Sequence, residues 1–444
     1  MKDRSFLALV VIASLAIKIP IALFFLQGFG VDESLYLATA RDYATTGVFG
    51  VDTEFNDFRF IAPLLAFVMS GFYTAFGDAG PLLVSPIVGS LAIIPFFYLG
   101  KLVVGQGGGR LMALLLFFNP AYFLLNTRPL TESIGLLLFS VSVLVFLLSI
   151  ENKKYRFFVL PTLVMTFLAR YPYGVLLAAF FVAVLIFGKK IRFLLNQNIL
   201  AGVAIALVIA APWLFYNLET YGDIFGGPLH QGGTDAGFDY QKASWYFPYL
   251  FMIAGATFPF MLYGFMKNVR ERKLVYAIVG LVTIFLVQFF VFGKSVEERY
   301  ILPALPFVLL LTVSGYEALV KRYKNTARYA FIALVVVNVL GAAYLTYTFS
   351  NLPRYSDADD AAVWVRDNCR SPIFGNLFTP IYNVAGFDVT TPTFDLERDA
   401  QTIADNKVNC VVVSAYESPY IDFFANETYL EKKSFGNVFV YKVS

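Results

Sequence analysis

Two adjacent carboxylates, Asp32 and Glu33, directly follow the first long apolar segment of the chain. Carboxylates at the edge of a membrane helix are costly to keep ionised and usually mark a functional site. A carboxylate held there can accept a proton from a hydroxyl group and so act as a general base. The structural alternative is that Asp32 caps a helix starting at Glu33, but a cap does not need a second acid. A catalytic carboxylate is therefore predicted in this pair.

The segment after this pair is predicted to be an amphipathic helix lying in the membrane surface. Apolar and small side chains recur at helical spacing, and charged residues lie beside them. Such a helix would hold the carboxylates where the bilayer meets water. The shared face consists of Leu35, Tyr36, Ala40, Tyr43 and Ala44.

Two arginines are predicted to bind a phosphate group. Arg170 interrupts an apolar stretch shortly before Pro172, where a helix must end or kink. Arg299 and Tyr300 stand where the chain re-enters the bilayer. A guanidinium is permanently charged and its planar donors match phosphate oxygens. The alternatives are that Arg170 reaches to lipid headgroups, and that Arg299 belongs to an ordinary interfacial loop.

A second set of polar residues is predicted to contact an acceptor or a sugar. Arg128 and Glu132 lie between two apolar spans, at the membrane depth expected for Asp32. They are four residues apart, so a structural ion pair on one helical face is the alternative. His230 lies in a polar, glycine-rich loop that suits a mobile cover over a site. A lone histidine in such a loop is more often solvated than catalytic.

Composition places the chain in a membrane. Hydrophobic residues make up 58% of the 444 residues and charged residues only 15%, whereas soluble domains carry about a quarter charged residues. About eleven to twelve apolar segments precede residue 351, and a helix of about 20 residues crosses roughly 30 Å of hydrocarbon. The predicted fold is an α-helical polytopic membrane protein over residues 1–350. A net charge of +3 without a basic aromatic patch gives no indication of nucleic-acid binding.

Orientation is predicted from lysines and arginines in short loops, which face the cytoplasm. This rule places the N-terminus inside and the predicted site outside. If the segment 60–77 crosses the membrane, Lys101 and Arg110 fall on the wrong side. The alternatives are that this segment follows a re-entrant or tilted path, or that the charge rule fails there. The basic clusters are Lys2/Arg4, Lys101/Arg110, Lys153/Lys154/Arg156, Lys189/Lys190/Arg192, Lys267/Arg270/Arg272/Lys273 and Lys321/Arg322/Lys324/Arg328.

Residues 351–444 are predicted to form a small extracytoplasmic α/β domain. The pattern predicts helices over 357–368 and 396–406 and strands over 372–375, 408–414 and 438–441. Cys369 and Cys410 both lie in this part, and in an oxidising compartment they could form a disulfide.

A series of spaced residues from Asp32 to Pro303 resembles a known pattern. An acidic pair follows the first helix. One proline opens the second apolar segment and a Phe-Gly closes it. An acidic residue, an arginine and an Arg-Tyr followed by proline come later in the chain. The chain thereby resembles the integral-membrane glycosyltransferases with the GT-C fold, in the branch of dolichyl-phosphate-mannose protein mannosyltransferases and aminoarabinose transferases. The matching residues are Asp32, Glu33, Tyr36, Ala40, Gly47, Pro63, Phe76, Gly77, Glu132, Arg170, Arg299, Tyr300 and Pro303.

The resemblance implies transfer of a sugar, with inversion, from a polyprenyl (dolichyl) phosphate carrier to a protein, lipid or glycan acceptor on the outer side. It maps the catalytic aspartate to Asp32 and the lipid-phosphate contacts to Arg170 and Arg299. Arg59 substitutes, in a shifted register, for the Lys or His that often precedes the proline of the second segment. Ser34 and Leu35 stand where the family often has a basic residue.

Two other functions compete with transfer. One is a transporter or flippase of lipid-linked sugars, although one broken span and no visible repeat argue against it. The other is a non-enzymatic membrane subunit whose outer domain binds a partner. No cofactor is firmly implied. Asp32, Glu33 and Glu132 could converge on a divalent metal, but none is predicted.

Overall fold

The computed structural model describes most of the chain. Its contacts divide the chain into two compact units, which are described separately here: Met1–Ala22, Ala62–Leu65 and Leu82–Thr346 form the first, and Leu23–Ile61, Ala66–Pro81 and Tyr347–Ser444 form the second. The described residues are 2–25, 31–50, 59, 61–188, 191–229, 238–267, 272–293, 296–350, 353–370, 373–375, 389–390, 401, 403, 405, 408–414, 431–435 and 438–442.

Helices dominate the described residues because long apolar runs must satisfy their backbone hydrogen bonds internally in lipid. Short 3₁₀ turns connect some of them over Lys153–Phe158, Ile191–Leu195, Gly255–Thr257 and Glu298–Ala304. In chain order the helices are α1 (Asp3–Pro20), α2 (Val31–Thr46), α3 (Pro63–Phe76), α4 (Ala79–Leu91), α5 (Ile93–Val103), α6 (Gln106–Phe117), α7 (Pro120–Leu125), α8 (Thr131–Glu151), α9 (Val159–Ala169), α10 (Tyr171–Phe187), α11 (Gln197–Tyr221), α12 (Tyr240–Ala243), α13 (Tyr246–Ala254), α14 (Phe258–Lys267), α15 (Arg272–Val291), α16 (Leu305–Ser350) and α17 (Pro353–Asn368).

Seven helical stretches in the described part of the chain are long and apolar enough to cross a bilayer, so the protein is an integral membrane protein. Shorter apolar helices such as α3 and α10 accompany them. The last stretch is 50 residues long, and its helix α16 is broken at Lys324, where φ is 44°. The seven stretches are Asp3–Phe24, Ala79–Val103, Thr131–Glu151, Gln197–Tyr221, Tyr240–Lys267, Leu274–Val291 and Arg299–Thr348.

One carboxylate near the N-terminus joins two basic residues of the next helical hairpin. Asp3 lies 2.8 Å from the Nζ atom of Lys101 and 3.1 Å from the Nη2 atom of Arg110, and it accepts a hydrogen bond from Gln106. The N-terminus and the loop between α5 and α6 therefore lie at the same end of the first unit. Helix α3, with 14 residues, rises only about 21 Å. Lys101 and Arg110 therefore lie at the end of the first unit that holds Asp3, and the crossing of the segment 60–77 stays a prediction.

The same end also carries the turn after α8. Lys101 and Tyr155 line one cleft, which makes them neighbours. The opposite end of α8 begins at Thr131, and its 21 residues rise about 30 Å. The side chains at the start of α8 therefore lie a full membrane thickness away from these basic residues.

Introduced cysteines should report this arrangement. We expect Arg4→Cys, Gln106→Cys and Lys154→Cys to react with a membrane-impermeant maleimide from one side, and Asp223→Cys, beyond the far end of α11, from the other. The 25 residues of α11 rise about 37 Å from its start beside Lys153. Each introduced thiol is the only free one because both native cysteines are disulfide-bonded. Labelling of Arg4→Cys and Gln106→Cys from opposite sides would contradict the Asp3 contacts.

The described C-terminal residues form a mixed sheet of five strands, as predicted for a small α/β domain. The order is β2-β1-β3-β5-β4, with β1 parallel to β2 and β3, and β5 antiparallel to β3 and β4. Helix α17 packs against β4 and β5. Ala361, Ala362 and Val365 on α17 are buried. The strands are β1 (Ile373–Gly375), β2 (Val389–Thr390), β3 (Cys410–Ser414), β4 (Glu431–Phe435) and β5 (Val438–Lys442).

The two cysteines form a disulfide, which joins the end of α17 to the first residue of β3. The bond closes a loop across a separation of 41 residues. Replacing both cysteines by serine should destabilise the C-terminal sheet by about 2–5 kcal/mol, since cross-linking restricts the unfolded chain. Limited proteolysis should then cleave this domain faster than in the wild type, and reductant should make the wild type equally sensitive. Equal protease resistance in the variant and the wild type would contradict the prediction.

Candidate active site

A buried ionic cluster joins three of the predicted site residues within the first unit. The Glu132 carboxylate is fully buried, and its Oε1 atom lies 2.7 Å from Nη1 of Arg170 and 3.6 Å from Nε of Arg299. The Arg299 Nε atom also lies 2.5 Å from Glu297, whose side chain is 44% exposed. We call Glu132, Arg170, Arg299 and Glu297 the ionic cluster; its formal charge is zero.

Local helix geometry positions the two most buried members of the cluster. Glu132 lies in the first turn of α8, where a negative charge is stabilised by the helix dipole. Arg170 separates α9 from α10 in an extended conformation, with φ −163° and ψ 113°. Pro172 lies in the first turn of α10, where a missing N–H costs nothing. The predicted break at Arg170 is present, and it turns the guanidinium toward α8.

Aromatic rings surround the two guanidinium groups. The Cζ atom of Arg170 lies 5.3 Å from the ring of Tyr173 and 5.2 Å from the ring of Tyr300, and Arg299 lies 5.7 Å from Tyr300. Such contacts stabilise a cation that has lost part of its hydration. Gly135 permits the close approach, since a Cβ atom there would lie 3.0 Å from the Tyr173 ring.

Several buried polar atoms of this site lack a hydrogen bond. Arg170 donates from Nη1 to Thr131 Oγ1 at 2.5 Å, and the same Nη1 atom lies within ion-pair distance of Glu132. No described residue forms a hydrogen bond with either Glu132 oxygen, with Arg170 Nε or with the Tyr173 hydroxyl. A buried group left in this state costs about 1–3 kcal/mol. Two of these atoms, Arg170 Nε and the Tyr173 hydroxyl, can donate to an anion.

Sequence reasoning missed Thr131, Tyr173 and Glu297. Each is adjacent to, or within one helical turn of, a residue that was predicted. Tyr173 follows Arg170 by three residues at the start of α10, a spacing that brings side chains together on a helix. That spacing could have indicated that Tyr173 lies near Arg170. Using it, however, requires knowing that α10 starts at Tyr171.

The predicted base belongs to the second unit, on helix α2. Asp32 and Glu33 lie in the first turn of the helix, with Asp32 half-buried and Glu33 buried. The helix is described from Val31 onwards, so Asp32 lies inside its first turn rather than at a cap before Glu33. The predicted helix is confirmed, with Leu35, Tyr36 and Ala40 buried.

Arg59, a predicted phosphate contact, also belongs to the second unit. It packs against Gly50, where φ is +85° and an added Cβ atom would lie 2.7 Å from Arg59. Only a glycine suits that backbone without strain. A meeting of Asp32, Glu33 or Arg59 with the ionic cluster remains a prediction.

Comparison with known proteins gives structural matches. No protein-family model and no curated protein sequence matches the chain. The crystal structure of ArnT from Cupriavidus metallidurans bound to undecaprenyl phosphate matches with a TM-score of 0.73 at 14% identity, covering 99% of this chain and 98% of that one. The apo oligosaccharyltransferase of Archaeoglobus fulgidus matches with a TM-score of 0.62 at 13% identity, covering 93% and 70%. AglB of the same organism, in complex with an inhibitory peptide and a dolichol-phosphate, matches with a TM-score of 0.57 at 12% identity, covering 93% and 70%.

The chain has the GT-C fold. The predicted resemblance is thereby confirmed at the level of the fold, as is the polytopic helical architecture with a small C-terminal α/β domain. At this level of identity the comparison concerns the fold alone.

Arg128 and His230 complete the set of predicted site residues. Arg128 is half-buried in the turn before α8, so it does not share a helical face with Glu132. His230 lies outside the described residues. Within the described ranges, no three His, Cys, Asp or Glu side chains come together as metal ligands would.

Proposed function

We propose that the protein transfers a sugar from a polyprenyl-phosphate carrier to an acceptor on the outer side of the membrane, with inversion at the anomeric carbon. Asp32 is the general base, with Glu33 beside it. Arg170 and Arg299 bind the phosphate of the donor. Arg59 and Tyr300 are further candidate phosphate contacts, and Arg128 and His230 are candidate contacts to the sugar or acceptor. The donor sugar that the resemblance favours is a hexose such as mannose.

The observation that carries the proposal is the pair of buried arginines. Arg170 and Arg299 face one carboxylate, and the Arg170 Nε–H and the Tyr173 hydroxyl lack an acceptor among the described residues. A phosphate offers more acceptor oxygens than a carboxylate, and it pairs readily with guanidinium groups. Two proteins of the same fold have solved structures with such lipids: ArnT bound to undecaprenyl phosphate, and AglB in complex with a dolichol-phosphate.

The chemistry that these residues support is a single displacement. The acceptor oxygen attacks the anomeric carbon while the bond from that carbon to the phosphate oxygen breaks. The electron pair of the broken bond stays on the phosphate, and the acceptor proton passes to Asp32. Positive charges fixed near the departing oxygen stabilise the developing negative charge.

We propose the orientation from the two ends of the first unit. Lys101, Arg110 and the 153–156 turn share the end that holds Asp3, and the ionic cluster lies about 30 Å away at the start of α8. The positive-inside rule then places the basic end in the cytoplasm and the cluster outside. A disulfide in the C-terminal domain is consistent with an oxidising outer compartment.

A transfer assay in proteoliposomes tests the function. With polyprenyl-phosphate-mannose labelled in the sugar and native membranes as the acceptor source, we expect labelled product and free polyprenyl phosphate to appear in equal amounts. Arg110→Gln, at the basic end, is the control and should retain transfer. Movement of the labelled lipid between leaflets without product would contradict the proposal and favour a transporter.

A further inference from the structure

The Glu132 carboxylate lies beside two arginines, at a position that a bound anion would otherwise occupy. The negative charge at this position therefore comes from the protein itself. Its side chain is fully buried, and its nearest charged neighbours among the described residues are Arg170 and Arg299. Both arginines are the residues proposed above to bind the donor phosphate. A phosphate that binds them must therefore compete with the Glu132 carboxylate.

The fit of Glu132 to its site is incomplete. Neither of its oxygens makes a hydrogen bond to a described residue, and the same holds for two nearby donors, Arg170 Nε and the Tyr173 hydroxyl. A carboxylate in its final bound geometry would normally satisfy such donors. This arrangement suits a carboxylate that pairs with the arginines when no ligand is bound. A ligand with more acceptor oxygens, such as a phosphate, would then displace it.

The proposed reaction creates a need for such an ion. The donor is a phosphodiester with one negative charge, and the lipid product is a phosphomonoester with about two. An unopposed pair of arginines would hold the product more tightly than the donor. A carboxylate that competes for the same guanidinium groups counteracts this difference.

We propose that Glu132 is a counter-ion that exchanges with the lipid phosphate: it neutralises the arginine pair before the donor binds and speeds release of the polyprenyl monophosphate after transfer. This inference rests on the proposed function. Glu132 is here a positioning residue, because it acts through the arginines rather than on the reacting atoms.

Glu132→Gln tests the exchange, because it keeps the shape of the side chain and removes its charge. We expect the dissociation constant for undecaprenyl monophosphate to fall about tenfold, the scale of one charge-assisted hydrogen bond. Steady-state turnover should fall more than the single-turnover transfer rate, because product release becomes slower. A purely structural role of Glu132 would weaken binding and lower both rates together.

Glu219→Gln is the matched control, since it removes the same charge from an exposed position near the end of α11. It should leave the product affinity at the wild-type value. Glu132→Asp retains the charge on a shorter side chain, and it should bind the monophosphate with an affinity between those of the wild type and Glu132→Gln.

The outcomes separate this inference from the function on which it rests. Binding of undecaprenyl monophosphate to the wild type with equal or weaker binding to Glu132→Gln overturns the exchange alone. If Glu132→Gln does not fold, weaker binding to Glu132→Asp than to the wild type also overturns it. Absence of binding to the wild type overturns the proposed function and the exchange together.

Discussion

Replacing Asp32 by asparagine should abolish sugar transfer while the donor still binds. Asparagine has nearly the same shape as aspartate but cannot accept the proton of the acceptor hydroxyl. General-base catalysis contributes about 10²–10⁴-fold to a rate, so we expect transfer to fall by that factor. The measurement is the single-turnover rate with labelled polyprenyl-phosphate-mannose, together with the equilibrium binding of the donor.

Asp42→Asn provides the matched control for this experiment. Asp42 lies on the same helix, α2, and forms a partly exposed ion pair with Arg41 at 3.7 Å. Such pairs contribute about 0–1 kcal/mol, so the variant should fold and transfer sugar nearly as the wild type does. A well-folded Asp32→Asn variant with wild-type transfer would remove Asp32 as the base.

Replacing Arg170 by glutamine should have the second large effect, on both stability and donor binding. The variant leaves the buried Glu132 carboxylate without its partner at 2.7 Å. Breaking a buried pair from one side costs about 3–5 kcal/mol. We expect the lower end of this range, because Arg299 still faces Glu132 at 3.6 Å. Thermal unfolding in detergent measures the loss of stability.

The double variant Arg170→Gln, Glu132→Gln separates stability from binding. Two neutral amides replace the ion pair, so most of the lost stability should return, because no buried charge is left uncompensated. Donor binding should stay weak, because one phosphate-binding guanidinium is absent. Recovery of donor affinity together with stability would show that Arg170 is only structural.

The sequence predicts the positions of the charges better than their partners. Pro172 marks the break at Arg170, and the beginning of the apolar segment 131–150 marks the start of α8, since both signals are local. The contact between Glu132 and Arg170 joins two helices, and the chain pattern does not state which helices are neighbours. The Tyr173 ring was missed for the same reason, because its role in the site depends on which side chains pack beside it.

The predicted membrane topology shows the same limit. Counting apolar segments does not decide whether residues 60–77 cross the membrane. A helix of 14 residues and a full membrane span have similar compositions. The contacts of Asp3 with Lys101 and Arg110 join positions that a charge count treats separately, and they place both basic residues at the end that holds Asp3. The C-terminal strands β1, β3 and β5 were predicted from their apolar runs. The sequence of strand β4 is typical of a charged loop, because it contains Glu431, Lys432 and Lys433.

Electroneutrality of the ionic cluster has a consequence for natural variation. Two acids and two arginines from three separate segments balance, and the Glu132 carboxylate among them is fully buried, where little water masks an excess charge. A homologue that has lost Glu132 should therefore also have replaced Arg170 or Arg299, and the substitutions should occur as pairs. Aligned homologues in which position 132 varies independently of positions 170 and 299 would argue against such coevolution.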